Sequence, residues 1–177
     1  MDYLFKQDYY RMTGKKWTLR SYIDLFLFHD LCYLKHIRNH SGGVVHKLLT
    51  LWYSSKYGLE IYSKHIGPGL YLGHAHNINV NPNAVIGKNC NLNKGCTIGQ
   101  ENRGSRRGVP TLGDCVWIGT NAVVCGKITI GDDVLIAPNA YVNFDVPAHS
   151  VVIGNPGKIY RKEHATEGYV MHCIDEI

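Results

Sequence analysis

The sequence predicts a mainly β fold in which short parallel strands wind into a solenoid, because small aliphatic residues recur about every six positions from Ile66 onward. A period of six fits neither a helical face nor a hairpin, but it equals three strand steps followed by a corner. Three such units make one triangular coil with its aliphatic side chains stacked inside. The aliphatic positions are Ile66, Leu72, Val80, Ile86, Leu92, Ile98, Leu112, Ile118, Val124, Ile130, Ile136, Val142, Ile153 and Ile159.

Two further observations support the solenoid. A glycine follows many of the aliphatic residues, where a bare Cα suits a tight corner. The asparagines between positions 77 and 93 tolerate the left-handed backbone of a corner and bond their own turn. The period slips by two residues at Ile78 and Asn79, and by eight between Ile98 and Leu112. We expect roughly four coils, which are enough repeats for a stable shared core.

Residues 1 to 58 are predicted to form a short helical cap. After a mixed, aromatic stretch and a loop at residues 13–16, apolar residues recur at helical spacing from Ser21 to about Arg38. A second helix is expected from Val44 to about Tyr57, ended by Gly58. One side of that helix carries Val45, Leu48, Leu49, Trp52 and Tyr53. We expect the helices to cover the open first coil, and a peripheral membrane contact stays an alternative.

Residues 59 to 160 are predicted to form the β-helix, interrupted by an extruded loop at residues 100–110. The loop is polar and glycine-bearing, with basic side chains at Arg103, Arg106 and Arg107. This composition suits a mobile arm laid over a site, although an ordinary surface insertion is the alternative. The tail, residues 161–177, is expected to be a short helix or a flexible end.

Composition limits the possible classes of function. The 177 residues carry a formal net charge of +5 that is spread along the chain, which disfavours nucleic-acid binding. A polyanionic cofactor or a solvated surface explains the surplus equally well. The six cysteines form no Cys-x-x-Cys pair and are interpreted as buried thiols rather than a disulfide framework. The first residues show no secretory leader and no stretch long enough to span a membrane, so we expect a cytoplasmic protein.

Four segments of the repeat resemble the left-handed β-helix acyltransferases. They are residues 66–74 (IGPGLYLGH), 81–90 (NPNAVIGKNC), 95–99 (GCTIG) and 153–158 (IGNPGK). Among these enzymes the chain is most similar to the serine acetyltransferase-like group, which includes enzymes that acetylate sugars of surface polysaccharides. The resemblance implies a left-handed parallel β-helix, acetyl-CoA as acyl donor and a homotrimer.

His74 is the candidate general base. It lies at a corner of a repeat that the family uses for this role, and an imidazole is suited to taking a hydroxyl proton at neutral pH. The alternative is a corner histidine bonded to a neighbouring carbonyl. Glu60 best matches the carboxylate that orients the base in the family, although the spacing to Ile66 is one residue short. His76 could suggest a metal with His74, but no third ligand stands at a suitable spacing, so no metal is expected.

The resemblance also assigns the donor site. In the family, the pantetheine arm of acetyl-CoA lies along backbone groups of successive coils from two subunits. The matching positions here are Gly99, Gln100, Gly119, Thr120, Ala137 and Pro138. Lys158, with Arg161 as a further candidate, is placed to meet the nucleotide phosphates.

The acceptor is assigned from departures from true serine acetyltransferases. Gly73 stands where that family has an aspartate, Pro110 stands where it has a second histidine, and the helical region is much shorter. We therefore expect a hydroxyl of a sugar as acceptor, with L-serine as the alternative. Two alternatives from other classes are a non-catalytic structural solenoid and a zinc-dependent carbonic anhydrase, for which the solenoid histidines lack the arrangement.

Overall fold

A computed structural model describes residues 3–39 and 43–176, and within them fifteen short strands form three sheets. The first sheet contains β1 (Glu60–Ile61), β4 (Asn79–Val80), β7 (Thr97–Gly99), β10 (Val123–Cys125) and β13 (Tyr141–Val142). The second contains β2 (His65–Ile66), β5 (Val85–Ile86), β8 (Thr111–Leu112) and β11 (Thr129–Ile130). The third contains β3 (Tyr71–Gly73), β6 (Asn91–Asn93), β9 (Trp117–Ile118), β12 (Val134–Ile136), β14 (Ser150–Ile153) and β15 (Lys158–Arg161).

The chain visits the three sheets in turn and completes about five coils, one more than the period suggested. Neighbouring strands pair in parallel, except that β15 folds back antiparallel on β14. The aliphatic positions from Ile66 to Val142 are buried, as predicted. The last two are not, since Ile153 is 51% exposed and Ile159 is 38% exposed.

Ile153 and Ile159 are exposed because the spacing of inward residues changes in the last coil. Val146 bridges to Ile130 and is buried, so the inward column advances by four residues after Val142 instead of six. Val152 then pairs with Ile136 and fills the next inward position. A strict six-residue count had therefore missed both inward valines.

The first period slip lies at a different place from the one expected. Gly73 pairs with Asn93. The N–H of Gly95 donates to the carbonyl of His76, just as the N–H of Asn121 donates to the carbonyl of Lys94, so His76 occupies the position that Lys94 has in the next coil. No residue separates Asn93 from Lys94, whereas two separate Gly73 from His76. The inserted pair is therefore His74 and Ala75 rather than Ile78 and Asn79.

Four helices precede the coil: α1 (Tyr3–Thr13), α2 (Ser21–Leu27), α3 (His29–Arg38) and α4 (Val44–Tyr57). Helix α1 had not been predicted. The single helix expected from Ser21 is broken at Phe28, whose backbone is extended. Leu25 and Leu34 are both buried. They would point in opposite directions on one continuous helix at about 100° per residue, so the break lets both reach the core.

The covering of the first coil comes from α1 and α3. Their buried side chains, including Phe5, Tyr9, Leu31 and Leu34, join the same core as the coil. Helix α4 behaves differently from the expectation, because the apolar residues predicted to pack are open to solvent in the single chain. Among them Val45 is 68% exposed, Leu48 60% and Trp52 50%. The remaining members of this exposed face are Val44, Leu49 and Leu51.

A buried ion pair fastens the cap to the coil. Arg38 donates to both carboxylate oxygens of Asp8, at 2.7 and 2.9 Å. The same guanidinium donates to the carbonyls of Ile66 and Gly67, and Asp8 accepts from the backbone N–H of Leu70. Both charged side chains are almost fully buried. The pair therefore links α1 and α3 to the first coil through backbone groups that would otherwise lack partners.

The C-terminal tail is ordered by side-chain contacts along the third sheet. Asp133 accepts from the backbone N–H groups of Ala165 and Thr166 and from the hydroxyl of Thr166. These bonds and one from His149 lower the pKa of Asp133, although its partial burial opposes them. The tail ends in a 3₁₀ turn, Ile174–Glu176.

The cysteines are free thiols, as the sequence indicated, but only Cys90 and Cys96 of the described set are fully buried. Burial raises the pKa of both thiols to about 12, so they stay protonated and unreactive at neutral pH. Among the described residues, no helix combines the length and the apolar character needed to cross a membrane.

Candidate active site

His74 projects from the corner between the third and the first sheet. It follows β3 directly, in the two-residue insertion, and its backbone adopts φ +52°. The side chain is exposed, and no described residue hydrogen-bonds to its imidazole. A histidine in the left-handed region is uncommon, and here the inserted residues carry it outward from the coil. Its ring is therefore accessible to a ligand.

Aromatic side chains of the cap pack against the corner that carries His74. The ring of His29 stacks on Tyr57 at 4.1 Å, and both rings meet His76 edge to face. His29 also hydrogen-bonds to the carbonyl of Ala75 through Nε2, at 3.2 Å. The inserted segment is thus held at the Ala75 carbonyl and at His76, which positions His74. Sequence reasoning missed His29 and Tyr57, because neither repeat period nor motif connects them with a residue so distant in the chain.

Glu60 and His74 lie at the same side of the first coil, but they are not in contact. Glu60 pairs with Asn79 across β1 and β4, and its carboxylate accepts a bond of 2.6 Å from the Asn79 amide. Both catalytic candidates are exposed. The role of Glu60 as the carboxylate that orients His74 stays a prediction.

Several donor-site candidates stack along the same corner. Successive coils are tied there by backbone bonds from Asn121 to Lys94 and from Asn139 to Thr120. Thr120 and Pro138 thus follow His76 and Lys94 along one edge of the β-helix. Lys158 pairs with Ile153 in the last coil, which extends the third sheet at the far end of that edge. The edge therefore runs from the candidate base to the candidate phosphate ligand.

Gly99 and Gln100 lie elsewhere. Gly99 is the last residue of β7, a strand of the first sheet, and Gln100 follows it. The other four residues, Gly119, Thr120, Ala137 and Pro138, follow strands of the third sheet. The two groups stand at opposite ends of the first sheet's strands. A ligand that touches both groups on one chain must cross that sheet, and a ligand between two chains can meet them on different subunits.

Gly119 and Gly99 of the candidate donor site are explained in different ways. A Cβ at Gly119 would lie 2.5 Å from the backbone nitrogen of Pro138, so the stacking of coils alone requires glycine there. A Cβ at Gly99 would meet only Thr97 and Cys125, at ordinary contact distances of 3.6 and 3.9 Å. The packing of the coils therefore does not require glycine at position 99. Close approach of a ligand to the backbone would explain it.

Gly73, beside the candidate base, cannot hold a side chain in this arrangement. A Cβ there would lie 2.0 Å from Oδ1 of Asn93 in the next coil. Asn93 is itself held, because its Nδ2 donates to the carbonyl of Ile118 at 2.7 Å. The position of Asn93 in the second coil thus leaves no space for an aspartate at position 73.

The extruded loop is anchored rather than free. Glu101 and Gly108 pair antiparallel at its base, and the N–H of Lys127 donates to the carbonyl of Arg106. The Arg106 guanidinium donates to the carbonyl of Asn143, while Arg103 and Arg107 are exposed. Two cationic side chains at the loop tip therefore stay open to an anionic ligand or a neighbouring chain.

Within the described part of the chain, the histidines at this corner lack the neighbours that a metal site would need. Among residues 3–39 and 43–176, no three histidine, cysteine, aspartate or glutamate side chains come together as a metal site would require. His76 packs against His29 and Tyr57, and its Nδ1 lies 3.4 Å from the carbonyl oxygen of His74.

Comparison with known proteins agrees with the fold and the repeat. Residues 110–143 match the family described as "Bacterial transferase hexapeptide (six repeats)". Serine acetyltransferase 2 of Arabidopsis thaliana is 31% identical over 145 residues, which are 73% of this chain and 45% of the relative. The crystal structure of Neisseria gonorrhoeae serine acetyltransferase in complex with serine superposes with a TM-score of 0.69 at 28% identity, over 89% of this chain and 67% of the other.

A solved serine acetyltransferase in complex with CoA is 24% identical, with a TM-score of 0.63 over 75% of this chain and 57% of the other. At that identity the likeness shows the fold alone. The chain spans about half the length of these curated relatives. These findings confirm the resemblance to the hexapeptide-repeat acyltransferases and the left-handed β-helix.

Proposed function

We propose that this chain, a hexapeptide-repeat protein of the left-handed β-helix acyltransferase group, is an acetyl-CoA-dependent O-acetyltransferase with His74 as general base. The observation that carries the proposal is the inserted pair His74–Ala75. It places one free imidazole outside a corner whose other side is buttressed by His29 and Tyr57. A purely structural coil has no need of an accessible histidine held in this way.

The proposed reaction is a direct transfer. His74 accepts the hydroxyl proton of the acceptor as its oxygen attacks the thioester carbonyl, so a C–O bond forms while the C–S bond breaks. The imidazolium then returns a proton to the leaving CoA thiolate, which leaves as the thiol. Glu60 is proposed to steady the imidazolium after its amide partner, Asn79, shifts or shares the carboxylate.

Acetyl-CoA is proposed to lie along the edge that runs from His74 to Lys158. The exposed ring of Pro138, the backbone of Ala137 and the side chain of Thr120 offer a narrow track on the outside of the coils. Gly99 and Gln100 would meet the donor from the other side. The ammonium group of Lys158, at the far end of this edge, would bind the phosphates of the nucleotide part of CoA.

L-serine is the acceptor that the named relatives support. A sugar hydroxyl is kept as a second candidate because of one observation: Asn93 fills the space that a side chain at Gly73 would need. Position 73 therefore cannot supply a carboxylate to bind the serine ammonium group.

The proposed assembly is a homotrimer with a site at each interface. On a single chain the two groups of donor-site residues stand at opposite ends of the strands of the first sheet. Three-fold symmetry would bring one group of each chain against the other group of its neighbour. The exposed cations of Arg103 and Arg107 would then reach across the same boundary.

The test is release of free CoA thiol from acetyl-CoA in the presence of L-serine, simple sugars or nucleotide sugars. We expect acceptor-dependent release that falls about 10²–10⁴-fold in His74→Gln, the usual contribution of a general base. The matched control is His65→Gln, which removes another exposed histidine of the same coil. Full turnover in His74→Gln would refute the assigned base, and the best acceptor would choose between serine and sugar.

A further inference from the structure

A second cationic side chain of the cap, Arg11, is buried without a counter-charge. It is 2% exposed and lies on α1, one turn after Asp8. Asp8 is committed to Arg38, which binds both of its oxygens. Among the described residues no carboxylate pairs with Arg11. The base of the cap thus buries two guanidinium groups and one carboxylate, which leaves one positive charge uncompensated.

Neutral groups within the described residues accept hydrogen bonds from only two of the three nitrogens of the Arg11 guanidinium. Nε donates to the carbonyl of Gly69 at 3.1 Å, and Nη2 donates to Asn89 and Asn91. No partner for Nη1 is found in the part of the chain that the structure describes. Burial lowers the pKa of Arg11, as expected for a desolvated cation. A buried charge of this kind is costly unless a group of opposite charge approaches it.

The guanidinium faces a cavity of about 230 Å³ between α1, the outer face of the third sheet and the C-terminal tail. The walls combine polar and apolar groups, and none of them is acidic. They include Tyr71, Asn93, Trp117, Tyr169 and Met171. Trp117 and Tyr169 meet edge to face at 5.1 Å and close one side. The cavity is large enough for several non-hydrogen atoms, since one water occupies about 30 Å³ in the liquid.

We propose that this cavity binds a small monoanionic carboxylate, whose oxygens accept hydrogen bonds from Nη1 of Arg11. A single uncompensated charge matches one carboxylate, and a guanidinium fork suits its planar geometry. The aromatic and methionine walls would pack against a short apolar tail. Because the cavity joins the helical cap, the third sheet and the C-terminal tail, occupancy stabilises all three together. The inference does not depend on the proposed activity.

The experiment measures the thermal unfolding midpoint and Trp fluorescence with sodium acetate and sodium butyrate as probes. Sodium chloride at equal ionic strength is the reference, and the fluorescence is read in a Trp17→Phe, Trp52→Phe background so that only Trp117 reports. We expect a saturable change in fluorescence and a higher midpoint with either carboxylate. Arg11→Met should weaken apparent carboxylate affinity at least tenfold.

Arg11 also holds backbone carbonyls, so a second variant is needed in case Arg11→Met does not fold. Met171→Phe places a bulkier, rigid side chain at an exposed position of the wall, adds no tryptophan and leaves Arg11 unchanged. It should fold normally and lose the carboxylate response. A response equal to that of chloride, a response retained in Met171→Phe, or a stronger response to inorganic phosphate would each overturn the proposal.

Discussion

At the scale of single residues, a half-buried imidazole connects two helices of the cap. His36 on α3 lies 2.8 Å from His46 on α4 through their Nδ1 atoms, so at least one of the two rings must be neutral. Burial lowers the pKa of His36 to about 4, and the charges of His46 and Lys35 add to this effect. Tyr53 faces the same ring from α4. The contact between α3 and α4 therefore depends on a neutral histidine.

This predicts a pH dependence of stability. Because the folded pKa of His36 lies below its ordinary value of 6.5, the unfolded chain binds more protons between these values. The contribution of His36 is fully present above pH 6.5 and is lost as pH falls toward 4. Urea unfolding at pH 7, 6, 5 and 4 should show a smaller loss of unfolding free energy in His36→Gln than in wild type. Equal losses would contradict the role of His36, and exposed His65→Gln is the control.

The ion pair of Asp8 and Arg38 allows a larger effect to be predicted. Arg38→Met leaves the Asp8 carboxylate buried without its cation, which typically costs about 3–5 kcal/mol of unfolding free energy. Denaturant unfolding measures this loss. Arg107→Met makes the same chemical change at an exposed loop position and should stay within about 0.5 kcal/mol of wild type. Restoration of stability by adding Asp8→Asn to Arg38→Met would confirm that the unpaired carboxylate is the cause.

At the scale of elements, the extruded loop lies outside the packed coils of the β-helix. Its base is closed by the pairing of Glu101 and Gly108, while residues 102–107 are exposed beyond it. The inward columns on either side, at Ile98 and Leu112, are complete without it. The coil can therefore fold without the tip of the loop.

We expect that replacing residues 102–107 with Gly-Gly abolishes acetyl transfer and lowers the unfolding midpoint only slightly, through loss of the bonds that Arg106 makes to Lys127 and Asn143. The reason is that the tip carries Arg103 and Arg107, proposed to act at a neighbouring subunit's site. Circular dichroism melting and CoA release measure the two effects. Double substitution Arg103→Gln and Arg107→Gln is the milder companion variant. Normal turnover of the shortened chain would show that the loop is an ordinary surface insertion.

At the scale of the whole molecule, the exposed apolar face of α4 and the divided donor site both favour association. For a chain of 19.9 kDa, light scattering coupled to gel filtration should give a mass close to an integer multiple of three chains. A variant with Leu48→Glu on the exposed face tests whether α4 contributes, with Lys47→Glu beside it as control. A monomeric wild-type mass would rule out the trimer and the shared site.

The amino-acid sequence by itself determined the architecture, because every coil repeats the same local requirement. An inward aliphatic residue at a fixed interval can be counted in one dimension, and those from Ile66 to Val142 are all buried. The count failed where the interval shortened to four residues, at Val146, since no motif marks that change. It also could not see that Leu25 and Leu34 share one core across a break at Phe28.

The candidate site was only partly accessible to sequence reasoning. His74 was found because a corner histidine stands out against a repeat of small residues. The tertiary structure decided why it is available, since only the strand register shows that His74 and Ala75 are the inserted pair. It also decided that His29 buttresses the corner and that Arg11 lies beside a cavity, because these contacts join residues far apart in the chain. Local periodicity specifies the coil, whereas long-range packing specifies the surfaces on which chemistry occurs.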